Sequence, residues 1–366
     1  MSGRAARVQE PHAERARASE TVEARKVVVH SAGAYDRLRI ETATLSAPGP
    51  DEVAIDVRAT GVNYADVIVR MGLYASAKEL VGWPITPGFE VAGVVRAVGE
   101  NVRDLRPGAR VFAVTLFGGY ASALNVPRHQ VFELPDALDF VQGAAMPAVF
   151  FTAWFALHHL AHPRRGDRVL VHSAAGGVGT SLVQLAKLAG CEVTGVVGGT
   201  HKVETARKLG CDHVIDKSSE DLWARAEAIA PKGFDVVLDA NGVATLKQSY
   251  THTRPAGKLV VYGFATMMPK TGGKPSYVKL AIDYLRTPRF NPLDMTNDSR
   301  SVLAFNLSFL FERTDLLEDG MADLQAWLAA GKFVPPPTTT YPLDQVADAH
   351  RAIESGKTIG KLVLVP

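Results

Sequence analysis

Val169-Leu-Val-His-Ser-Ala-Ala-Gly-Gly-Val-Gly179 decides the fold. An apolar, β-branched run of strand length enters a glycine turn, and the turn opens a helix over residues 179–188. Gly176 and Gly177, flanked by Ala175 and Val178, let the backbone approach a bound pyrophosphate. Gly179 permits close packing of helix on strand. The helix start then offers free N–H groups and the positive end of its dipole to phosphate oxygens. A glycine triplet by itself is a weak signal; the strand before it and the helix after it supply the context the motif requires.

Strands and helices alternate downstream: strands at 192–197, 213–215, 235–239 and 258–262, helices at 201–209, 222–229 and 245–253. This alternation means a doubly wound parallel sheet. The end of the second strand selects the nucleotide. An NAD site usually carries Asp or Glu there for the ribose hydroxyls, whereas this chain has Gly198-Gly-Thr-His-Lys202. Thr200 can hydrogen-bond a 2′-phosphate and Lys202 can pair with it, so the expected cofactor is NADPH.

Upstream, Lys26–His30, Asp51–Ala59, Val91–Val98, Arg110–Val114 and His129–Leu134 read as short strands separated by Gly, Pro and Asn, a small β-rich domain. An apolar helix follows over 149–160. Residues 265–300, with four prolines and Gly272-Gly273, read as a long irregular segment. A strand at 301–307, helices at 317–330 and 346–354 and a strand at 361–365 close the chain, and the last of these are expected to rejoin the β-rich domain. Residues 1–25, rich in Arg, Ala and Glu, read as a tail.

With 366 residues, 47% hydrophobic and 21% charged, the chain is globular and long enough for two domains. A net charge of +2 provides no field for gathering nucleic acid. The longest apolar run, 144–157, contains Pro147 and is shorter than the ~20 residues a membrane span needs. Two cysteines, Cys191 and Cys211, suggest no disulfide framework and fit a reducing cytoplasm.

Together with Ala59-Thr-Gly-Val-Asn-Tyr-Ala-Asp66, Pro87-Gly-Phe-Glu-Val-Ala-Gly-Val-Val95 and Val98-Gly99, the glycine loop resembles the medium-chain dehydrogenase/reductase superfamily over residues 26–366. Within it the chain is similar to the zinc-independent quinone oxidoreductase (zeta-crystallin-like) branch. The 265–300 segment, with Arg289-Phe-Asn-Pro292 and Ala304-Phe-Asn-Leu307, is similar to the subgroup named after the synaptic-vesicle VAT protein. The resemblance implies an α/β fold: a Rossmann doubly wound parallel sheet (148–302) inserted into a β-rich GroES-like catalytic domain (26–147 and 303–366). Zinc-dependent relatives place Cys where this chain has Asn63 and His where it has Phe89. Asn is a poor zinc ligand, Phe cannot ligate, and Glu90 alone makes no site. The His158, His159 and His162 group is explained by its place at a helix C-terminus. No metal is expected.

Without a metal to stabilise an alkoxide, the easier hydride acceptor is a conjugated carbonyl or a quinone, whose product anion is delocalised. The resemblance also implies roles. Asn63, Asp66 and Tyr74 form the catalytic set, Asn63 near the nicotinamide ribose or substrate and Tyr74 as donor to the developing oxyanion. Ile68 stands where the branch often has a second tyrosine, which makes the acceptor site more apolar. Thr152 contacts the nicotinamide amide, while Asn241, Gly263, Phe264 and Phe305 cover the nicotinamide. Lys361 reaches the pyrophosphate, and Lys217 helps hold the 2′-phosphate. The implied activity is an NADPH-dependent reductase of quinones or α,β-unsaturated carbonyls, a homodimer acting on a small apolar substrate. A trans-acting enoyl-thioester reductase and a nucleotide-binding adaptor with vestigial catalysis are the alternatives.

Overall fold

A computed structural model of the chain describes residues 21–366. The expected tail at 1–25 lies outside these residues up to position 20. Beyond it, the expectation is corrected: Val22–Val28 is already a strand, paired antiparallel with Arg39–Leu45. The Arg and Lys of that stretch sit on a half-solvated hairpin, which disguises the strand in the sequence.

Six parallel strands form the dinucleotide-type sheet, in the order His213–Asp216, Glu192–Val197, Arg168–Val171, Phe234–Asp239, Thr253–Val261, Ser301–Ala304. Counted along the chain this is order 3-2-1-4-5-6. It places the switch point between the strands that end at Val171 and Asp239, where ligands bind in doubly wound sheets. The second sheet is antiparallel at its centre and draws on both ends of the chain. Lys361–Val365 pairs with Glu52–Val62, with Leu362 opposite Val62, and Glu52–Val62 pairs with Glu90–Val98. The closing strand therefore does rejoin the β-rich domain. Thr338–Pro342, which carries no alternating pattern, becomes the edge strand beside it.

The helix Pro147–Trp154 links the two sheets and continues as a π-helical stretch, Phe155–Ala161, ending at His162 in the left-handed region (φ 48°). Phe150, Phe151, Trp154 and Phe155 are core residues, with Phe150 stacked on Phe333 at 4.1 Å. Each such burial stabilises by about 1.5–3 kcal/mol.

The irregular reading of 265–300 is corrected. The segment holds two helices, Tyr277–Arg286 and Pro292–Asp298, N-capped by the side chains of Ser276 and Asn291. The apolar positions of the first helix, among them Tyr277, Val278, Tyr284 and Leu285, face outward.

Two buried histidines make the fold sensitive to acid. Burial holds the His172 and His350 imidazoles below their usual range, and the Arg70 guanidinium lowers His350 further. Unfolding frees them to take a proton below pH about 6.5, so their contribution to stability is lost as pH falls through that value. Asp66 works the other way: its carboxyl is raised to about 7, so its contribution is present in acid and lost as pH rises toward 7. We predict that His350→Gln loses less thermal stability than the parent between pH 7 and pH 5.5, measured by calorimetry in matched buffers. Equal losses in parent and variant would refute this account of His350.

Candidate functional site

The glycine loop leaves its strand through Ser173, which adopts a positive φ of 56°. Gly176 is the N-cap and Gly177 the first residue of the helix that runs to Leu188. A Cβ on Gly179 would stand 2.1 Å from the Ser173 carbonyl oxygen, so only glycine lets this helix close on the strand. At Gly176 a Cβ would meet only that same oxygen, at 3.3 Å, leaving the space before the helix start open to a ligand. Val178 is partly exposed beside it and Ala175 is buried. Ala175 accepts from the Gly360 N–H at 2.8 Å, which docks the closing strand onto the loop. Nearby, Asn241 is buried with no partner for its Nδ2 among the described residues, while its Oδ1 accepts from Ser173 Oγ at 3.4 Å. An orphaned buried donor next to free helix N–H groups suits a dinucleotide's pyrophosphate and amide oxygens.

At the far end of the loop, Lys202, Lys217 and Lys270 gather. Burial lowers Lys202, and Lys217 lowers it further; burial and Lys270 do the same to Lys217. The lysine ion pairs among the described residues are those of Lys187, Lys208, Lys279 and Lys361, so these three have no carboxylate at ion-pair distance, although the more distant Asp239 partly offsets the repulsion on Lys217. Lys202 donates one bond to the Gly356 carbonyl. A dianionic phosphate would relieve their mutual repulsion. Thr200 departs from its expected role. Its hydroxyl donates to Asp216 Oδ2 at 2.7 Å, a carboxylate from the end of the neighbouring strand, and is not free to donate to a 2′-phosphate. Lys270 was not legible as a member of this group, because the 265–300 segment gives no sign of where it folds.

On the β-rich side, Asn63 caps the helix Tyr64–Arg70. Its Nδ2 donates to Glu90 Oε1 at 2.9 Å, and its Oδ1 accepts from the Lys361 ammonium. Lys361 pairs with Glu90 at 2.6 Å with side chains 2% and 0% exposed. In this arrangement the Lys361 ammonium, expected from the sequence to reach the pyrophosphate, is engaged by Asn63 and Glu90. Its stem does pass the glycine loop, with Cδ 3.5 Å from a Cβ position on Gly177, but its charge is spent inside the β-rich domain. Asp66, expected from the sequence in the catalytic set, lies beneath this cap. It is fully buried and accepts from Asn63 N (2.7 Å), Gly88 N (2.8 Å) and Tyr120 Oη (2.9 Å), so it holds the cap and the neighbouring loop. Phe89 packs against Tyr74 and Phe117 in edge and tilted contacts. Among the described residues no three His, Cys, Asp or Glu side chains converge as metal ligands do.

Tyr74 joins the two domains. Its hydroxyl donates to Asn306 Oδ1 at 3.0 Å and lies 3.0 Å from Ser308 Oγ. Burial raises its pKa, so it holds its proton. Asn306 and Ser308 follow the last strand of the parallel sheet, and neither was singled out by the sequence as a partner of Tyr74. Thr152 donates to Ala148 O at 2.6 Å, within its own helix. Gly263 approaches Ala240, and the Phe264 ring lies over Gly242, where a Cβ would meet it at 2.6 Å. Phe305 packs on Phe155 at 4.8 Å and faces the core.

The two glycines predict different failures. Gly179→Ala should cost about 1–3 kcal/mol of stability through the collision with Ser173. Gly176→Ala should keep the thermal midpoint of the free protein and weaken dinucleotide binding. Melting curves with and without nucleotide check both, and a stable Gly179→Ala protein would contradict the packing argument.

Comparison with known proteins agrees with this geometry. Residues 49–136 match the model of the alcohol dehydrogenase GroES-like domain, and residues 209–364 that of zinc-binding dehydrogenases. The chain is 35% identical to the synaptic vesicle membrane protein VAT-1 homolog of Rattus norvegicus, covering 93% of this chain and 84% of that one. It is 32% identical to the quinone oxidoreductase of Pongo abelii, covering 93% and 97%. Among solved structures it is similar to Escherichia coli quinone oxidoreductase complexed with NADPH, at 27% identity and TM-score 0.81 over 93% of this chain and 100% of that one. It is likewise similar to the CurK enoyl reductase, at 28% identity and TM-score 0.80 over 93% and 99%.

Proposed function

We propose that this chain, which belongs to the medium-chain dehydrogenase/reductase superfamily of oxidoreductases, is a zinc-independent, NADPH-dependent reductase of quinones or α,β-unsaturated carbonyls. The observation that carries the reading is the unpaired Lys202–Lys217–Lys270 cluster beside a glycine loop built for pyrophosphate. The NADPH-bound structure of a similar quinone oxidoreductase supports it. The zinc-binding name of one matching model does not carry over. Asn63 and Phe89 are not zinc ligands, and Glu90 is already neutralised by Lys361.

NADPH, when bound, supplies the hydride. The helix start at Gly176–Gly177 holds the pyrophosphate, and the lysine cluster holds the 2′-phosphate. Thr152, Asn241 and the Gly263-Phe264 bend border the nicotinamide. Asn63 presents its amide to the ribose or the acceptor. Tyr74, backed by the buried rings of Phe89 and Phe117, offers an aromatic side suited to a flat, apolar, conjugated acceptor. The acceptor's developing oxyanion takes a hydrogen bond, and then a proton, from Tyr74 or from solvent.

A second copy of the chain is the proposed partner. Ser301–Ala304 is the outermost strand of the parallel sheet, with its outer ladder open for pairing. Among the described residues no helix is long and apolar enough to cross a membrane. The two free, buried cysteines fit a reducing cytoplasm. A trans-acting enoyl-thioester reductase is the second reading, favoured by the likeness to the CurK enzyme.

Purified protein with NADPH should reduce at least one member of a panel of quinones, enones and acyl-pantetheine enoyl thioesters, and relative rates decide between the two readings. Lys202→Ala should raise KM for NADPH about tenfold or more and leave KM for NADH nearly unchanged. No turnover on the whole panel, or parent preference for NADH, would sink the proposal.

A further inference from the structure

We propose that Lys361 and Glu90 form a positioning pair that locks the Asn63 amide in a single orientation, fixing an N–H donor at the site. The inference rests on the reading of Asn63 as a residue that meets cofactor or substrate.

The argument starts from what each group is able to do. An ammonium has hydrogens and no lone pair, so it can face only an amide oxygen. An ionised carboxylate has lone pairs and no hydrogen, so it can face only an amide nitrogen. Asn63 lies between one of each: Oδ1 on Lys361 Nζ and Nδ2 on Glu90 Oε1. Rotating the amide by half a turn would set carbonyl oxygen against carboxylate and N–H against ammonium. Both partners therefore reject the same flipped state, and neutral partners would reject neither.

The surroundings hold the pair in place. Gly61 opposite Glu90 makes the room, since a Cβ there would lie 2.4 Å from Oε1 and 2.5 Å from the Ala144 carbonyl oxygen. The second carboxylate oxygen accepts from Ala148 N at 2.8 Å, at the start of the helix that links the two sheets. The Asn63 backbone is fixed separately by Asp66. Asn63 itself is only partly buried, so one N–H is spent on Glu90 and the other remains open to a ligand. The group that Asn63 meets is thereby specified as an acceptor, a hydroxyl or carbonyl oxygen. Lys361 and Glu90 touch no ligand in this scheme; they act through Asn63.

Neutron diffraction from deuterium-exchanged crystals of the parent reads the orientation directly. Both amide deuterons are expected on the atom facing Glu90, and deuterons on the atom facing Lys361 would overturn the proposal whatever the enzyme reduces. The functional consequence is read by a mutant cycle. Lys361→Met alone strands a buried carboxylate, so Lys361→Met with Glu90→Gln is the variant that keeps the interior neutral. It should lower kcat about tenfold with a smaller change in KM for NADPH, and Lys361→Arg should recover part of the rate. In an Asn63→Ala background the same double change should cost less than about twofold. An undiminished loss without Asn63 would show that the pair does not work through the amide. Failure of the parent to reduce any acceptor would instead count against the function proposed above and leave the neutron result standing.

Discussion

A buried ammonium–carboxylate pair, Lys361 with Glu90, is the contact on which the geometry around Asn63 depends. Removing two charges from water costs about as much as their attraction returns, so such a pair adds little net stability. Its effect is on geometry, because loss of either partner leaves a buried charge at a cost of about 3–5 kcal/mol. Glu90 belongs to the central strand of the β-rich sheet. Lys361 begins the strand that returns after the whole dinucleotide-type unit. Between them they reach Asn63 at a helix cap and Ala148 at the start of the linking helix. Since Gly360 also donates to Ala175 in the glycine loop, a single short stretch of chain registers the loop against the cap across the domain boundary.

A second polar network extends that register. Arg70 is fully buried at the end of the helix that Asn63 opens. It donates to Gly33 O, Gly273 O, Glu354 and His350 Nδ1. His350 in turn faces Tyr120, whose hydroxyl donates to Asp66. A neutral imidazole is what this chain of donors needs: Nδ1 accepts from Arg70 and the Nε2–H faces Tyr120, in keeping with the lowered pKa of His350. The contact with Gly273 ties the 265–300 segment, whose Lys270 joins the phosphate-type cluster, to the helix that carries Asn63.

The parts of this molecule that were legible in its sequence are those governed by short-range backbone chemistry. The glycine loop, the helices 222–229 and 346–354 and the strands 192–197 and 361–365 fall where periodicity and turn residues put them, because local sterics decide them. The contacts that the sequence does not announce share a cause of the opposite kind. Lys361 and Glu90 are separated by 271 positions (361 minus 90), and nothing local announces their pairing. Asp66 accepts from Asn63 N, three residues away, and from the distant Gly88 N and Tyr120 Oη, and the last two contacts have no local signature. Thr200 donates to Asp216 on an adjacent strand, a contact created by sheet order. The helix Tyr277–Arg286 was hidden for another reason: its apolar face points outward, which the usual pairing of periodicity with burial does not anticipate.

The same division runs through the site. The glycine loop of its nucleotide half is built from one continuous supersecondary unit and can be read residue by residue. Its proposed acceptor half is assembled across the domain boundary, where Tyr74 from the β-rich domain shares its hydroxyl with Asn306 and Ser308 from beyond the parallel sheet. In the proposed reaction this matters, because a hydroxyl donating to Asn306 has no second proton to give. Tyr74 can meet an oxyanion only by exchanging that bond, with Ser308 Oγ within reach to supply a replacement hydrogen bond. Proton delivery is then coupled to separation of Tyr74 from Asn306. The aromatic wall of Phe89 and Phe117 behind Tyr74 keeps its ring in place while the hydroxyl changes partner.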